Sequence, residues 1–247
     1  MKNPVLARQV LKVDLCSARA IHIVYQNLSH THFLKAMHIP DGILTSPVCA
    51  TTLALGGAAL ATATYKCWNA DTPGKALGLA AAGTILVQAL NFPVSASISG
   101  HFIGSALLAW MFGPWAALCV LGMVLGTQAF LLGDGGIFAF GANFLCLAIV
   151  PILLASVAKI ATENTHSPAL QSAAAGVATL TGYLAASVCV TLLLTFGAIP
   201  GTTANLSLVI GHSWLPAILE GFTTAMVVAL LISQASASTD LIETPAN

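Results

Sequence analysis

Two histidines, each in a distinctive short segment, are the residues best suited to chemistry in this chain. His38 lies in Met37-His38-Ile39-Pro40-Asp41-Gly42, and His101 ends Ser99-Gly100-His101. If translation begins at Met37, its α-amine, the backbone nitrogen of His38 and the His38 imidazole can chelate one metal ion through adjacent rings. A fourth nitrogen from His101 would complete a square plane, which suits Ni(II) or Cu(II) and which Co(II) can accept, unlike Zn(II) or Mg(II). The motifs predict a planar all-nitrogen site whose affinity weakens on acidification, because the ligands must lose protons.

Each histidine also has an ordinary interpretation. His38 alone is more often a loop histidine without a role, and His101 alone is more often a partner in an interhelical hydrogen bond. Their combination with a methionine that could start the chain favours the metal site.

Polar groups within apolar segments are costly in a membrane, so each is a functional candidate. The candidates are Gln88, Asn91, His101, Gln128, Asp134, Asn143, His212 and Glu220, with His38 and Asp41 ahead of the first apolar segment. They form no enzyme signature, since the sequence has no H-E-x-x-H, no G-x-S-x-G and no phosphate-binding glycine loop. Asp134 has no second membrane aspartate to form a protease dyad. The sequence predicts that the protein is not an enzyme and that any ATP hydrolysis belongs to another chain.

The elements that must position these residues are membrane helices. Of 247 residues 57% are hydrophobic and 6% are charged, whereas soluble domains carry about 25% charged residues. Several apolar stretches approach the roughly 20 residues that a spanning helix needs. A net charge of zero and the lack of a basic tract give no reason to expect nucleic acid as a partner. Six cysteines without a C-x-x-C are predicted to be apolar packing residues.

Residues 1–36 differ in charge from the rest of the chain. They hold five lysines and arginines against one aspartate, or +4, while residues 37–247 hold three lysines against seven acids, or −4. The prefix lacks the continuous apolar run of a signal peptide. We interpret residues 1–36 as unstructured or absent from the mature protein, and residues 37–247 as a single integral membrane metal-binding domain.

The apolar runs predict an all-α, polytopic transmembrane helical bundle of about seven spans. The third span is the weakest, because its fifteen residues rise only about 22 Å, and merging it with the fourth at Gly113-Pro114 would give six. With seven spans and residue 37 outside, Lys66, Lys75 and Lys159 all lie inside, as the positive-inside rule requires. Both histidine motifs then lie on the outer side. The predicted spans are 46–67, 76–92, 98–112, 114–133, 136–158, 170–197 and 214–233.

Several short segments, taken together, are specific to one family. They are Met37-His38-Ile39-Pro40-Asp41-Gly42, Phe92-Pro93-Val94, Ser99-Gly100-His101, Gly113-Pro114-Trp115, Gly133-Asp134-Gly135-Gly136, Gly141-Ala142-Asn143, and His212 with Glu220-Gly221. From Met37 to about residue 233 the chain resembles the CbiM/NikM family, the substrate-specific S subunits of energy-coupling factor (ECF) transporters for cobalt and nickel. The resemblance implies an extracytoplasmic site in which the amine of Met37, the amide and imidazole of His38, and His101 bind the ion.

The resemblance also implies partners that this chain does not contain. These are a transmembrane T subunit, cytoplasmic ATP-binding subunits and a small accessory membrane protein, assembled in the cytoplasmic (inner) membrane. Co(2+) or Ni(2+) would be the transported substrate, with cobalamin biosynthesis as one use of cobalt, and no bound organic cofactor is expected.

Five further residues receive supporting roles. Asp41 is expected to orient the terminal segment or to accept from its amides, and Asn143 to support the ligands without touching the metal. Asp134 is expected either to be the N-cap of the fifth span or to support the site. His212 and Glu220, eight residues apart, would share a helix face and be coupled by hydrogen bonds. Glu220→Gln should then impair folding or assembly more than metal affinity.

The sequence predicts a membrane subunit that captures cobalt or nickel from the outer side for an ATP-driven ECF importer. A stand-alone secondary permease would need acidic or histidine groups along a whole pathway, whereas the candidates here cluster in the outer half. A membrane metal-sensing or assembly subunit would bind metal without uptake even in the presence of the T and ATPase subunits. The choice between cobalt and nickel is not set by these residues, since the same nitrogens accept both.

Overall fold

The computed structural model describes residues 38–70, 72–89, 92–95, 98–200 and 206–243. For 92–95, 98–100, 206–210 and 236–243 the description covers the backbone only. The prefix 1–36, Met37 and Asn91 lie outside the described residues.

Helices joined by one short hairpin make up the described part of the chain. Proline stands in the first turn of α1, α4 and α6, where its missing N–H leaves no helical bond unmade. The helices are α1 Ser46–Asn69, α2 Gly74–Gln88, α3 Ser105–Phe112, α4 Pro114–Leu132, α5 Phe140–Thr162, α6 Pro168–Gly197 and α7 Leu206–Glu243. Strand β1, Phe92–Ser95, pairs antiparallel with β2, Ile98–Gly100. The prediction of an all-α protein therefore holds except for this hairpin.

Five helices are long and apolar enough to cross a membrane, which makes this a membrane protein. They are α1, α4, α5, α6 and the part of α7 from Gly211 to Ala235. Helix α2 has 15 residues and α3 has 8. Seven crossings would therefore require both short helices to contribute.

The predicted third span, 98–112, is wrong in its first half. Strand β2 ends at Gly100, residues 101–104 are not helical, and α3 begins only at Ser105. Gly104 has φ +80°, a left-handed conformation that stops a helix from extending backwards and that suits glycine. The predicted break between the third and fourth spans is confirmed at Gly113, where φ is +82°.

The short third helix places irregular backbone inside the bundle. Eight residues rise about 12 Å, against about 28 Å for the 19 residues of α4. The backbone of residues 101–104 therefore needs hydrogen-bond partners from the protein, because lipid supplies none.

Glycines allow α6 and α7 to approach closely. A β-carbon on Gly176 would lie 2.9 Å from the Gly221 carbonyl oxygen, and one on Gly221 would lie 2.8 Å from the Gly176 carbonyl oxygen. Small residues at such a crossing are the usual means of packing membrane helices. The crossing fixes the part of α7 that carries Glu220.

The described cysteines behave as the sequence predicted. Cys67, Cys119 and Cys146 are buried, and those within the described ranges are free thiols.

Candidate metal site

The segment after His38 is held by a side chain from α5. Asn143 accepts a hydrogen bond from the backbone N–H of Ile39 at 2.7 Å and donates to the backbone carbonyl of Ile39 at 3.0 Å. The N–H of Gly136 donates to the same carbonyl at 3.0 Å. Both backbone polar groups of Ile39 are therefore paired, which holds the segment after His38 against α5 and the turn before it.

Asp41 anchors this segment to the turn before α5. Its carboxylate accepts hydrogen bonds from the backbone N–H groups of Ile137, Phe138 and Ala139 at 2.9, 2.8 and 3.1 Å. Amides at the start of a helix have no partner within the helix and favour a negative charge. We expected Asp41 to orient the terminal segment or to accept from the amides of that segment; its carboxylate accepts instead from the amides of residues 137–139.

Asp134 is not the N-cap of the fifth span, which corrects one of its two predicted roles. Helix α5 begins at Phe140, its N-cap position is Ala139, and Asp41 satisfies the amides there. The glycines around Asp134 allow the chain to turn, with φ values of +66° at Gly133 and +96° at Gly135. This turn carries Asp134 to His38 instead.

The structure brings together the two histidines that the sequence singled out. The rings of His38 and His101 are stacked, with centroids 5.4 Å apart and planes 12° from parallel. Both residues are buried, at 4% and 6% exposure. Asp134 Oδ1 lies 3.2 Å from His38 Nδ1, and the Asp134 side chain is 48% exposed. The half-exposed carboxylate of Asp134 therefore lies between the buried imidazole pair and the exterior of the protein.

Three of the four ring nitrogens have no hydrogen-bond partner among the described residues. His101 Nδ1 lies 3.0 Å from the Phe102 carbonyl oxygen and donates to it, which leaves the lone pair on Nε2. This Nε2 is buried and has no hydrogen-bond partner in the described part of the chain. Nδ1 and Nε2 of His38 are also buried without one there, because the 3.2 Å contact between Nδ1 and Asp134 lacks hydrogen-bond geometry. Buried polar atoms are normally paired, so the unpaired Nε2 atoms of the two stacked rings, with Nδ1 of His38 beside Asp134, are suited to bind a cation.

Burial favours the neutral form of the His101 imidazole. Burial, followed by the proximity of His38, lowers the pKa of His101 to about 4. The His38 imidazole beside Asp134 holds the pKa of that carboxyl below its usual value. Neutral imidazole next to an ionised carboxylate is the protonation state that binds a metal cation.

The backbone that presents His101 is paired by side chains from three helices. Glu220 of α7 accepts from the N–H groups of Ile103 and Gly104 at 2.7 and 2.8 Å. Gln88 of α2 donates to the Ile103 carbonyl at 2.8 Å, and Tyr183 of α6 donates to the His101 carbonyl at 3.2 Å. Tyr183 was missed by sequence reasoning, although a lone tyrosine in a small-residue helix needs a partner for its hydroxyl. The irregular loop inside the bundle is thus stabilised by buried polar groups.

His212 is the remaining candidate among the described residues. His212 is half-buried in α7, on the same helix as Glu220, as predicted. Among the described residues no group of three or more His, Cys, Asp or Glu side chains is arranged to hold a metal ion. A metal between the two histidines would therefore need further ligands, and the main chain at the start of the domain is adjacent.

Comparisons with known proteins converge on one family. The chain matches the family described as the cobalt uptake substrate-specific transmembrane region over residues 38–237. It is 31% identical over 209 residues to a protein of Archaeoglobus fulgidus that carries the name fused nickel transport protein NikMN, covering 84% of this chain and 68% of the relative. It is 36% identical over 139 residues to the fused nickel transport protein NikMN of Rhodobacter capsulatus, covering 52% of this chain but only 38% of that relative.

The fold has a counterpart among solved structures. A crystal structure of a transition metal transporter superposes with a TM-score of 0.67 at 25% identity, covering 82% of this chain and 94% of the other.

Proposed function

Since the chain belongs to the CbiM family of cobalt-uptake substrate-specific transmembrane regions, we propose that it is the membrane subunit that captures cobalt or nickel ions for import. Relatives named as nickel transport proteins and a solved transition metal transporter of the same fold support transport of these ions. A transport subunit that binds its substrate and performs no chemical step fits this family better than an enzyme does.

The observation that carries the proposal is the buried pair of imidazoles with orphaned nitrogens. We place the substrate ion between the α-amine of Met37, the backbone nitrogen and imidazole of His38, and Nε2 of His101. Leaving a buried polar atom unpaired costs about 1–3 kcal/mol, and a bound cation would relieve this cost at His38 and His101 together. Asp134 would attract the ion to the site, and Asp41 and Asn143 would fix the backbone that chelates it.

The proposed ligand set requires a free amine at Met37. We therefore propose that residues 1–36 are not part of the mature protein and that residues 37–247 are one membrane domain. An internal Met37 would offer an amide in place of the amine, and the chelate would lose one of its four nitrogens.

The orientation that we propose places the site on the outer side of the cytoplasmic membrane. The N–H of Thr45 donates to the Gly197 carbonyl at 2.8 Å, so the start of α1 and the end of α6 meet at the end of the bundle where His38 lies. Lys66 lies about 30 Å further along α1. This separation supports an inner side that carries Lys66, and we propose that α2 and α3 complete seven crossings.

Energy for import would come from other chains. We propose an ECF-type assembly with a transmembrane T subunit, cytoplasmic ATP-binding subunits and a small accessory membrane protein, in which cobalt import would serve cobalamin biosynthesis. The family resemblance supports this arrangement, and a stand-alone permease is the alternative that the experiment must separate from it.

Uptake of cobalt and of nickel by cells tests the proposal. Cells would express either the full chain or a chain starting at Met37, with or without the partner subunits, and each chain would carry His38 or His38→Ala. We expect uptake only with the partners, and its loss in His38→Ala. His166→Ala is the matched control, because this exposed histidine lies in the loop between α5 and α6, away from the site.

The amino terminus of the transporting protein, read by mass spectrometry, completes the test. If a chain that retains residues 1–36 transports as well as one starting at Met37, the amine is dispensable and the ligand set is wrong. Uptake without the partners would instead favour the stand-alone permease. Metal binding without uptake when every partner is present would favour a sensing or assembly subunit.

A further inference from the structure

Two buried glutamines that the proposed site does not use form a bridge between α2 and α4. Gln88 is 5% exposed and Gln128 is 4% exposed. Gln128 Nε2 donates to Gln88 Oε1 at 2.6 Å. Gln88 Nε2 in turn donates to the Ile103 carbonyl oxygen at 2.8 Å. One end of the bridge thus terminates two residues after His101.

The other end of the bridge lies at the turn that touches His38. The backbone carbonyl of Gln128 accepts a hydrogen bond from the N–H of Asp134 at 2.9 Å and also one from the N–H of Gly133. These bonds close the π-helical end of α4, where wider turns direct the chain away from the α-helical path. Asp134 then reaches His38. The side chain and the backbone of Gln128 therefore link the Ile103 carbonyl, two residues after His101, to the turn whose Asp134 contacts His38.

The bridge has few alternative arrangements. The two amides are buried in apolar helices, so each depends on the protein for its partners and each hydrogen bond lacks competition from water. Gln128 Oε1 has no partner among the described residues, so the hydrogen bond that Nε2 donates to Gln88 is the one that orients the Gln128 amide. A polar pair retained at this cost suggests a specific positional task.

We propose that Gln88 and Gln128 are positioning residues that hold the Asp134 turn and the His101 loop in one register, and so set the affinity and coordination geometry of the bound ion. The inference rests on the proposed function. It assigns to these two residues a role that is separate from ligation, because among the described residues neither is hydrogen-bonded to His38 or His101. Hydrogen bonds behind metal ligands typically change affinity by about 10–100-fold when removed.

Metal titration of the protein as the cell processes it, purified and with its amino terminus identified by mass spectrometry, tests the inference. Ni(2+) or Co(2+) alone is added to the wild type, Gln88→Met, Gln128→Met and the double variant. We expect each variant to bind about 10–100-fold more weakly and the Ni(2+) absorption bands to shift, because the planar geometry is distorted. The double variant should bind no more weakly than Gln88→Met, because Gln88→Met alone removes both the bond with Gln128 and the bond to the Ile103 carbonyl.

Ser187→Ala is the matched control for loss of a buried interhelical bond. Ser187 and Ser213 are buried and their hydroxyl oxygens lie 2.8 Å apart, joining α6 to α7. This variant should lower the thermal midpoint of the metal-free protein as the glutamine variants do, while its affinity and absorption spectrum stay as in the wild type. If the methionine variants do not fold, Gln128→Asn, which keeps the neutral amide but shortens the side chain by one methylene so that it no longer reaches Gln88, is measured in their place.

His101→Ala separates failure of this inference from failure of the proposed function. Wild-type affinity in His101→Ala would overturn the proposed site itself. Loss of binding in His101→Ala together with wild-type affinity and spectrum in the glutamine variants would overturn only the positioning role. Equal affinity losses in Ser187→Ala and the glutamine variants would also overturn it, because the effect would then be general destabilisation.

Discussion

Asn143 and Ile39, 104 residues apart in the chain, pair as two neighbouring β-strand residues would. The side-chain oxygen of Asn143 accepts from the Ile39 N–H, and its amide nitrogen donates to the Ile39 carbonyl. Because His38 directly precedes Ile39, this pairing fixes the backbone nitrogen that we propose as a metal ligand. The hydrogen bonds behind the site are therefore expected to matter for metal affinity as well as for folding.

Replacement of Asn143 by aspartate should weaken metal binding about 10–100-fold. Aspartate has nearly the same size, but its carboxylate cannot donate to the Ile39 carbonyl and repels it. Isothermal titration with Ni(2+) measures the change. Gln171→Glu is the control, because Gln171 makes a similar bond to the Thr165 carbonyl at the other end of the bundle. Unchanged affinity in Asn143→Asp would show that the orientation of Ile39 does not control the site.

Glu220→Gln should reduce stability more than metal affinity. Both carboxylate oxygens accept from backbone amides, and the glutamine NH₂ would face one of those donors. We expect a loss of about 2–3 kcal/mol of unfolding free energy, seen as a lower thermal midpoint of the protein in detergent. Glu163→Gln, on an exposed residue at the end of α5, should change little. A variant that is as stable as the wild type but binds metal poorly would place Glu220 in ligation instead.

Gly136→Ala should destabilise the protein by about 1–3 kcal/mol. A β-carbon at this position would overlap the backbone nitrogen and carboxylate of Asp41, so the segment after His38 would be pushed off the turn before α5. Gly126→Ala is the control, because a β-carbon there meets nothing within 4 Å. Thermal unfolding of the two variants distinguishes a local clash from a general effect of glycine replacement. Equal stability of the two variants would contradict the close approach.

The metal-free protein should lose stability as the pH falls below 6.5. The pKa of His101 is about 4 in the folded protein, against about 6.5 in an unfolded chain. The unfolded state therefore takes up this proton first, so stability is highest above pH 6.5 and declines by roughly 3 kcal/mol towards pH 4. Thermal unfolding at pH 5 and pH 7 measures the slope. His101→Asn, which does not titrate, should show a shallower decline, and an identical slope would disprove this assignment.

The long helices were accessible from the sequence. The predicted spans 46–67 and 170–197 correspond to Ser46–Asn69 and Pro168–Gly197, because long apolar runs bounded by proline, glycine or charge can be satisfied in lipid only as helices. The same reasoning failed for 98–112. Residues there are apolar or small, as in a helix, while the hydrogen bonds that hold 101–104 out of the helix come from Glu220, Gln88 and Tyr183.

The sequence by itself determined the class of protein, the family and the two histidines, because composition and short motifs are local properties. Only the tertiary structure decided that His38 and His101 stack, that Asp41 binds the amides of the turn before α5, and that Glu220 holds the His101 loop. The physical reason is that each of these pairs joins residues far apart in the chain. Which distant donor reaches a given carboxylate depends on helix length, on glycine turns and on close helix crossings, and only folding brings these together.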